Sequence, residues 1–403
     1  MRRSLLVGGI LWSTLLPAQH PVVQDVLDAI RIDSLMHYVA QLTGELPVDV
    51  GNGPQLISSR NLAHPDHAVA RAWLVQKLTE IGYGPVLQPF NVNGMNVLAW
   101  KPGLVHPDEP VIVCAHYDTM PAGAAGGPGA DDDGSGTAAV LEAARVLRDV
   151  DLEHTVLFAL WDEEEVGLQG SAYYAQGEAA NDALIRGVIN MDAIAYDGNG
   201  DKKARIHTRP IANSIELADS VFAVRAHYDI DLDLILTNPG ASYSDHASFW
   251  NNDYGAILVI EEFGADGNPF YHTPNDLMAH FDVPYFEKLA RLSIATAATI
   301  AVPVAEQSVF TPSPDFSPQL STWPNPAMHD AEAWLGVRVA GYHRVELVDA
   351  LGRVVRSLYA GELLPGRYRI PLPMAACAPG LYLVRVVTGG QRPVTTRIMR
   401  ATE

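Results

Sequence analysis

The stretch Pro110-Val-Ile-Val-Cys-Ala-His-Tyr-Asp118, continued by Gly129-Ala-Asp-Asp-Asp-Gly-Ser-Gly136 and Thr137-Ala-Ala-Val-Leu-Glu-Ala-Ala-Arg-Val-Leu147, decides the fold. Residues 110–115 are apolar without alternation, the pattern of a strand covered on both faces. Residues 136–147 read as a helix that is apolar on most of its faces. The arrangement recurs downstream. Thr155–Trp161 is a strand that runs into Asp162-Glu163-Glu164-Glu165, and Gly187–Met191 is a strand that runs into Asp192. Gly255–Ile260 is a strand followed by Glu261-Glu262. Asn213–Arg225 is a helix with Asn213 or Ser214 as its N-cap, and Pro284–Ala301 is a long helix. Strands alternating with helices give an α/β fold with a mixed, mostly parallel sheet sandwiched by helices. Ligands of such sheets bind beyond the carboxyl ends of the strands.

The 403 residues are 48% hydrophobic and 18% charged, and 27 Lys and Arg against 47 Asp and Glu leave a net charge of −20. Phosphate backbones attract basic surfaces, so nucleic acid is an unfavourable partner, as is an anionic membrane. Two cysteines, Cys114 and Cys377, cannot form a disulfide framework. Cys114 is expected as a small core hydrophobe.

Met1-Arg2-Arg3, an apolar run and Pro17-Ala18-Gln19 have the form of a secretory signal peptide over residues 1–18. Its apolar run of roughly 12 residues is short of the ~20 that a spanning helix requires. Residues 284–303 come closest to a later span, but Glu287, Lys288 and Arg291 interrupt them. No stable membrane span is expected. The main domain is placed at 19–310, with a Pro/Ser linker at 311–319. Residues 20–319 carry 15 basic and 41 acidic side chains, whereas 320–403 carry 10 and 6. The second domain, 320–403, has short runs at hairpin spacing: Val337–Val339, Arg344–Asp349, Arg353–Leu358, Arg367–Ile370, Leu381–Val387 and Val394–Met399. They predict a small β-sandwich.

Histidines and carboxylates gather at the ends of the apolar strands: His116 and Asp118, Asp131 to Asp133, Asp162 to Glu165, Asp192, and then Tyr271-His272-Thr-Pro-Asn-Asp276. Unpaired charges of one sign brought to one rim repel and are costly to bury. Divalent cations resolve that conflict, and imidazole with carboxylate suits zinc, or cobalt or manganese. Asp118 falls on the same side of an extended chain as His116 and can hold its imidazole. The glycine-flanked loop lets Asp132 approach and bridge two ions. If the chain turns at Glu164-Glu165, one carboxylate can bind metal and the other act as general base.

In order, His116-Tyr-Asp118, Gly129–Gly136, Glu164-Glu-Val-Gly-Leu-Gln-Gly-Ser171, Asn190-Met-Asp192, Ser244-Asp-His246 and Tyr271–Asp276 resemble the motifs of secreted bacterial co-catalytic dizinc aminopeptidases. Leu42-Thr-Gly-Glu-Leu-Pro47 and Ser58-Ser-Arg60 resemble the start of such domains. The resemblance implies a zinc exopeptidase-like fold and two zinc ions. His116 and Asp192 would bind one ion, Glu165 and His272 the other, and Asp132 would bridge them. Glu164 would be the general base for a zinc-bridging water, and Asp118 would orient His116. Tyr271 would stabilise the oxyanion, unless it merely packs against the rim. Ser244-Asp245-His246 would lie behind the ligands near the substrate. The substrates implied are peptides with a free N-terminus. Ala193 stands where the family often has methionine, and Ala241 where some members have another tyrosine.

The remaining polar residues have plainer expectations. Asp131 and Asp133 shape the loop, Asp162 and Glu163 are solvated rim charges, and Glu261 and Glu262 are ordinary structural charges, with a place behind the ligands as the alternative. The eleven other histidines, such as His20 and His154, are expected in solvent. Glutaminyl-peptide cyclases, carboxypeptidases and dipeptidases of the same fold are the alternatives, and a catalytically dead binding module is the non-enzymatic one. In the tail, Pro324-Asn-Pro326, Asp349-Ala-Leu-Gly-Arg353 and Pro379–Arg385 resemble the C-terminal sorting domain of the bacterial type IX secretion system. That resemblance implies recognition by the secretion machinery and a protein secreted or attached to the cell surface. The alternative is a generic immunoglobulin-like accessory domain.

Overall fold

The structure, a computed structural model, describes residues 20–121, 126–264, 266–302, 319–323, 327, 330–337, 341–350, 352–363, 366–388 and 393–401. The signal-peptide segment and nearly all of the 311–319 linker lie outside the described residues. Packing divides the chain into two compact units between Glu306 and Gln307.

The first unit runs α1 (Pro21–Ala29), α2 (Ile32–Leu42), α3 (Asp66–Ile81), β1 (Val86–Pro89), β2 (Met95–Lys101), β3 (His106–His116) and α4 (Gly136–Leu147). It continues with β4 (His154–Trp161), α5 (Gln169–Ala180), β5 (Gly187–Met191), β6 (Lys203–His207), α6 (Ser214–His227), β7 (Asp233–Thr237), α7 (His246–Trp250), β8 (Ala256–Glu261) and α8 (Val283–Ile300). The strands form one eight-stranded sheet in the order β1-β2-β4-β3-β5-β8-β6-β7. The β3–β4, β3–β5, β5–β8 and β6–β7 pairs are parallel, and the rest are antiparallel.

Alternate residues of the central strands serve opposite faces, which is why their sequences do not alternate. Val111, Val113 and Ala115 of β3 and Val156, Phe158 and Leu160 of β4 pack with α4 and α8. Ile112, Cys114, Leu157, Ala159 and Trp161 pack against Tyr174 of α5 and Phe249 and Trp250 of α7. Burying each large apolar side chain is worth about 1.5–3 kcal/mol. The helix α8 starts where Asp282 accepts a hydrogen bond from the Tyr285 amide, with Pro284 in the first turn. Asn213 occupies the N-cap of α6 as expected but caps no amide with its side chain: it donates its side-chain amide to the Arg186 carbonyl, and Ser214 Oγ donates to the Ile211 carbonyl.

The second unit holds β9 (Gln319–Trp323), β10 (Ala331–Val337), β11 (Gly341–Asp349), β12 (Val354–Leu363), β13 (Gly366–Leu372), β14 (Gly380–Thr388) and β15 (Val394–Arg400). They form two antiparallel sheets, β13-β10-β9 and β12-β11-β14-β15. Leu335, Leu372, Val345, Leu347, Val384 and Ile398, drawn from both sheets, share one apolar cluster. The run expected at Val337–Val339 is the end of β10, and residues 338–340 lie outside the described residues.

Candidate metal centre

His116 ends β3, Asp192 follows β5, Glu165 follows β4, and Asp132 sits in the turn Ala130–Ser135 that feeds α4. His272 lies in the loop before α8. The structure brings all five together. His116 Nε2 is 3.1 Å from Asp132 Oδ1 and 3.6 Å from Asp192 Oδ1. His272 Nε2 is 3.0 Å from Asp132 Oδ2 and 2.9 Å from Glu165 Oε2. His116, Asp132 and Asp192 thus form one three-donor group, and Asp132, Glu165 and His272 a second. The two groups share a single carboxylate. Asp132 Oδ2 and His272 Nε2 are buried, and despite their separation they lack the geometry of a hydrogen bond to any partner. Such atoms aim at a common point rather than at each other, and the imidazole–carboxylate donor set fits two cations.

The backbone carrying these ligands is held by carboxylates. Asp276 accepts the amides of Asp131 and Asp132, each at 3.0 Å. Asp133 accepts the amide of His116 at 3.2 Å and that of Gly136 at 2.8 Å. A Cβ on Gly136 would come within 2.4 Å of Asp133 Oδ1, so the turn closes only over glycine. Asp118 accepts the amides of Glu164 at 3.0 Å and Glu165 at 3.2 Å. His116 Nδ1 is 3.2 Å from the Asp118 carbonyl oxygen and 3.4 Å from its carboxylate. Asp118 therefore positions the ring and the glutamate pair together.

Arg60 is fully buried and donates to the main-chain carbonyls of Leu42, Tyr117, Pro128 and Gly129. It staples the segment after β3 to the Asp132 turn. Burial lowers its pKa to about 10, against the pull of Asp133, Asp276, Asp132 and Asp118.

Glu164 is buried, and burial raises its carboxyl well above the usual range; Asp245, Asp192 and Asp118 add to this and His116 opposes it. Burial and Asp132 bring Glu165 to about 7. Burial works against the charge on His272, but Asp132 and Glu165 hold it at about 10. Tyr271 stacks on His272 at 3.8 Å and meets the edge of Phe263. Burial, with Asp132, Asp192, Glu165 and Glu164 nearby, keeps its hydroxyl protonated. Glu163, Ala193 and His272 all adopt left-handed backbone, a conformation that residues with a Cβ avoid and that gathers at functional sites.

Several expectations are corrected. Asp162 is buried, not solvated: it meets His67 Nε2 at 2.7 Å and accepts the Tyr117 hydroxyl at 2.7 Å and the Met95 amide at 2.9 Å. Glu163 is buried too and accepts from the Asn91 amide group. His67, His154, His207 and His343 are buried rather than solvated. His246 is a packing residue, bonded to the Ala241 carbonyl and set edge-on to Trp250. Its neighbour Asp245 is the member of that motif that faces His116 and the acidic rim, and burial raises it to about 7. Ser244 accepts from Asn190, two residues before Asp192. Cys114 is fully buried. Asp131 accepts the Ala195 amide and an Asn268 donor, Glu261 accepts the Tyr196 amide, and Glu262 pairs with Arg205.

The sequence reading missed Arg60, Asp276 and Tyr243 as parts of the site. Tyr243 is about half exposed, and burial with Asp192 pushes it up to about 12. Its place directly before Ser244-Asp-His246 was the available sign. For Asp276, it was a place in the same motif as His272.

Fold and site define an α/β protein with a candidate two-cation centre at the carboxyl edge of its sheet. Residues 96–297 match Peptidase family M28, and the chain belongs to that family. Aminopeptidase YwaD of Bacillus subtilis (strain 168) is 30% identical over 197 residues, covering 47% of this chain and 41% of that protein. The chain spans about half the length of the curated relatives it matches. The LapA aminopeptidase of Legionella pneumophila superposes with a TM-score of 0.60 at 22% identity, over 75% of this chain and 78% of that one. Porphyromonas gingivalis glutaminyl cyclase superposes with a TM-score of 0.55 at 21% identity, over 66% and 98%. At these identities the two structures share the fold.

Proposed function

We propose that the chain is a zinc-dependent aminopeptidase that removes N-terminal residues from peptides. The observation that carries this reading is the Asp132 carboxylate, shared by two three-donor groups with the buried Glu164 beside them. His116, Asp132 and Asp192 would hold one ion, and Asp132, Glu165 and His272 the other; cobalt or manganese suits the same donors. Bound there, zinc would supply Lewis acidity, polarising the scissile carbonyl and acidifying the attacking water.

The rest of the chemistry belongs to the side chains. Glu164 takes the proton of the attacking water and delivers it to the leaving amine. Burial and the carboxylates around it raise its pKa, which favours holding the proton between the two transfers. The protonated Tyr271 hydroxyl donates to the developing oxyanion, a contact of a kind worth roughly 3–4 kcal/mol. Asp118 fixes the His116 ring and the amides of the glutamate pair. The acidic rim near Asp192 attracts the free α-ammonium of the substrate, which selects for chain ends.

The test uses the full chain, with zinc counted per molecule. Leucyl-p-nitroanilide is assayed beside its N-acetylated form and a peptide with N-terminal glutamine. Two zincs and cleavage of the free amine alone are expected. One zinc with cyclisation of glutamine would replace this reading with a cyclase, and metal without any turnover would favour a carboxypeptidase or dipeptidase. The same reading has the protein exported, with residues 320–403 as a type IX sorting domain. Its support is the 1–18 segment and the three tail landmarks. Retention in the periplasm after deletion of 320–403 is the expected outcome, and unchanged export would overturn it.

A further inference from the structure

His106 opens β3 and His154 opens β4, at the opposite end of the sheet from the candidate centre. At about 3.3 Å per residue, the length of β3 separates His106 from His116 by roughly 30 Å. His106 and His154 are register partners on adjacent parallel strands. Their rings stack with centroids 4.6 Å apart and planes at 20°, so an ion held in the plane of both requires the exposed His106 ring to turn out of the stack. Glu153 adds a carboxylate, and one donor atom from each residue lies within 4.8 Å of the others.

We propose that His106, Glu153 and His154 form an accessory site for a divalent transition-metal ion, independent of the rim. Two imidazoles and one carboxylate suit zinc or copper and exclude hard cations such as magnesium. The His154 ring is anchored as metal-binding rings usually are: Nδ1 lies 3.2 Å from the Glu109 carbonyl oxygen and donates to it, which leaves Nε2 as the acceptor.

The backbone beneath the donors is already fixed. Val105 and His106 both donate to the Glu153 carbonyl, at 3.0 and 2.8 Å. Glu153 donates to Val302 at 2.9 Å and His154 to Ala301 at 3.1 Å. A Cβ on Gly103 would lie 2.3 Å from the His154 carbonyl carbon, so the segment before β3 is pressed against β4. An ion therefore meets donors whose main-chain ordering is complete. His106 is exposed, which leaves the remaining coordination position to water. A bound ion would clamp the first residues of β3 to those of β4 and stabilise the folded chain by mass action.

The test compares the full chain with His106→Ala and His106→Gln, each stripped of metal and dialysed against a graded series of free Zn2+. His106 is on the surface, so both variants should match the unaltered chain in metal-free melting temperature. The unaltered chain is expected to bind one more zinc than either variant. With Cu2+ as probe, the unaltered chain should bind one more ion than His106→Ala, and Asp132→Ala, altered at the rim, should still bind the ion that His106→Ala loses. Equal zinc counts in all forms, or an extra ion that His106→Ala retains, would overturn the proposal. The readout is a difference, so an error in the number of ions at the rim shifts every form equally and leaves this test intact.

Discussion

The second unit and the rim of the first bury carboxylates in opposite ways. In the second unit, Glu346 is 6% exposed and lies between two arginines, with Arg344 Nε at 2.8 Å and Arg385 Nη2 at 2.8 Å. At the rim of the first unit, Asp118, Asp131, Asp132, Asp133, Glu164, Asp192, Asp245 and Asp276 are all buried. Arg60 is the single buried Lys or Arg among the described residues, and its donors go to carbonyls. A carboxylate bracketed by arginines is complete and has no capacity left for a ligand. A rim short of positive charge is satisfied in part by backbone amides and has room for cations. The charge deficit, rather than the number of acidic residues, marks the working end of the molecule.

The sharpest way to probe that deficit is Glu164→Gln. It removes a proton carrier and leaves all five candidate ligands in place. Turnover of leucyl-p-nitroanilide should fall by about 10²–10⁴-fold with zinc per chain unchanged. Loss of metal along with activity would make Glu164 a ligand instead. Next comes Arg60→Met, which strands four carbonyls and removes the buried cation. It should destabilise the first unit by about 3–5 kcal/mol, read from denaturant midpoints. A change within about 0.5 kcal/mol would mean that Arg60 is no staple.

Arg60 also shows where sequence reading stops. The β3, β4, β5 and β8 strands were legible because burial on both faces removes alternation from a run of residues. The α4 helix was legible because nearly every position is apolar, and α8 because Glu287, Lys288 and Arg291 mark one polar face on an otherwise apolar run. His116, Asp132 and Glu165 stood out because few other roles place imidazole and carboxylate straight after such strands. Arg60, in contrast, bonds to main-chain carbonyls as many as 69 residues away, and a carbonyl carries no sequence identity. Asp276 clamps amides 144 and 145 residues away and is hidden for the same reason. Asp162 looked solvated because it opens an acidic run. It is buried because His67, 95 residues earlier, folds onto it.

A third effect, smaller and continuous, separates the rim from a set of ordinary ion pairs. Burial holds Glu165 at about 7, Asp245 at about 7 and Asp276 at about 8 in the metal-free fold. Unfolded, these carboxyls titrate near 4. Between about pH 4 and 8 the folded state therefore binds more protons than the unfolded one, and stability falls as pH rises. His272, raised to about 10, acts in the same direction: its contribution is present below its unfolded value and is lost as pH climbs through 10. Metal replaces those protons, so the melting temperature gained by adding zinc should grow from pH 5 to pH 8. A gain independent of pH would mean that zinc binds elsewhere than among these groups.

The smallest expected effect tests the other half of the comparison. Glu346→Gln in the second unit keeps the side-chain shape and one acceptor, but leaves Arg344 and Arg385 facing each other without a carboxylate. Arg344 is half exposed and Arg385 is 29% exposed, so water screens much of their repulsion. The cost should be about 1 kcal/mol or less in the melting of the second unit, with kcat unchanged. Lowering salt should enlarge it, because the uncompensated arginines repel more strongly when unscreened. A loss as large as that from Arg60→Met, insensitive to salt, would mean that Glu346 is held by burial in a polar network rather than by charge. The two units would then bury carboxylates by one rule, and a deficit of arginine would no longer distinguish the rim.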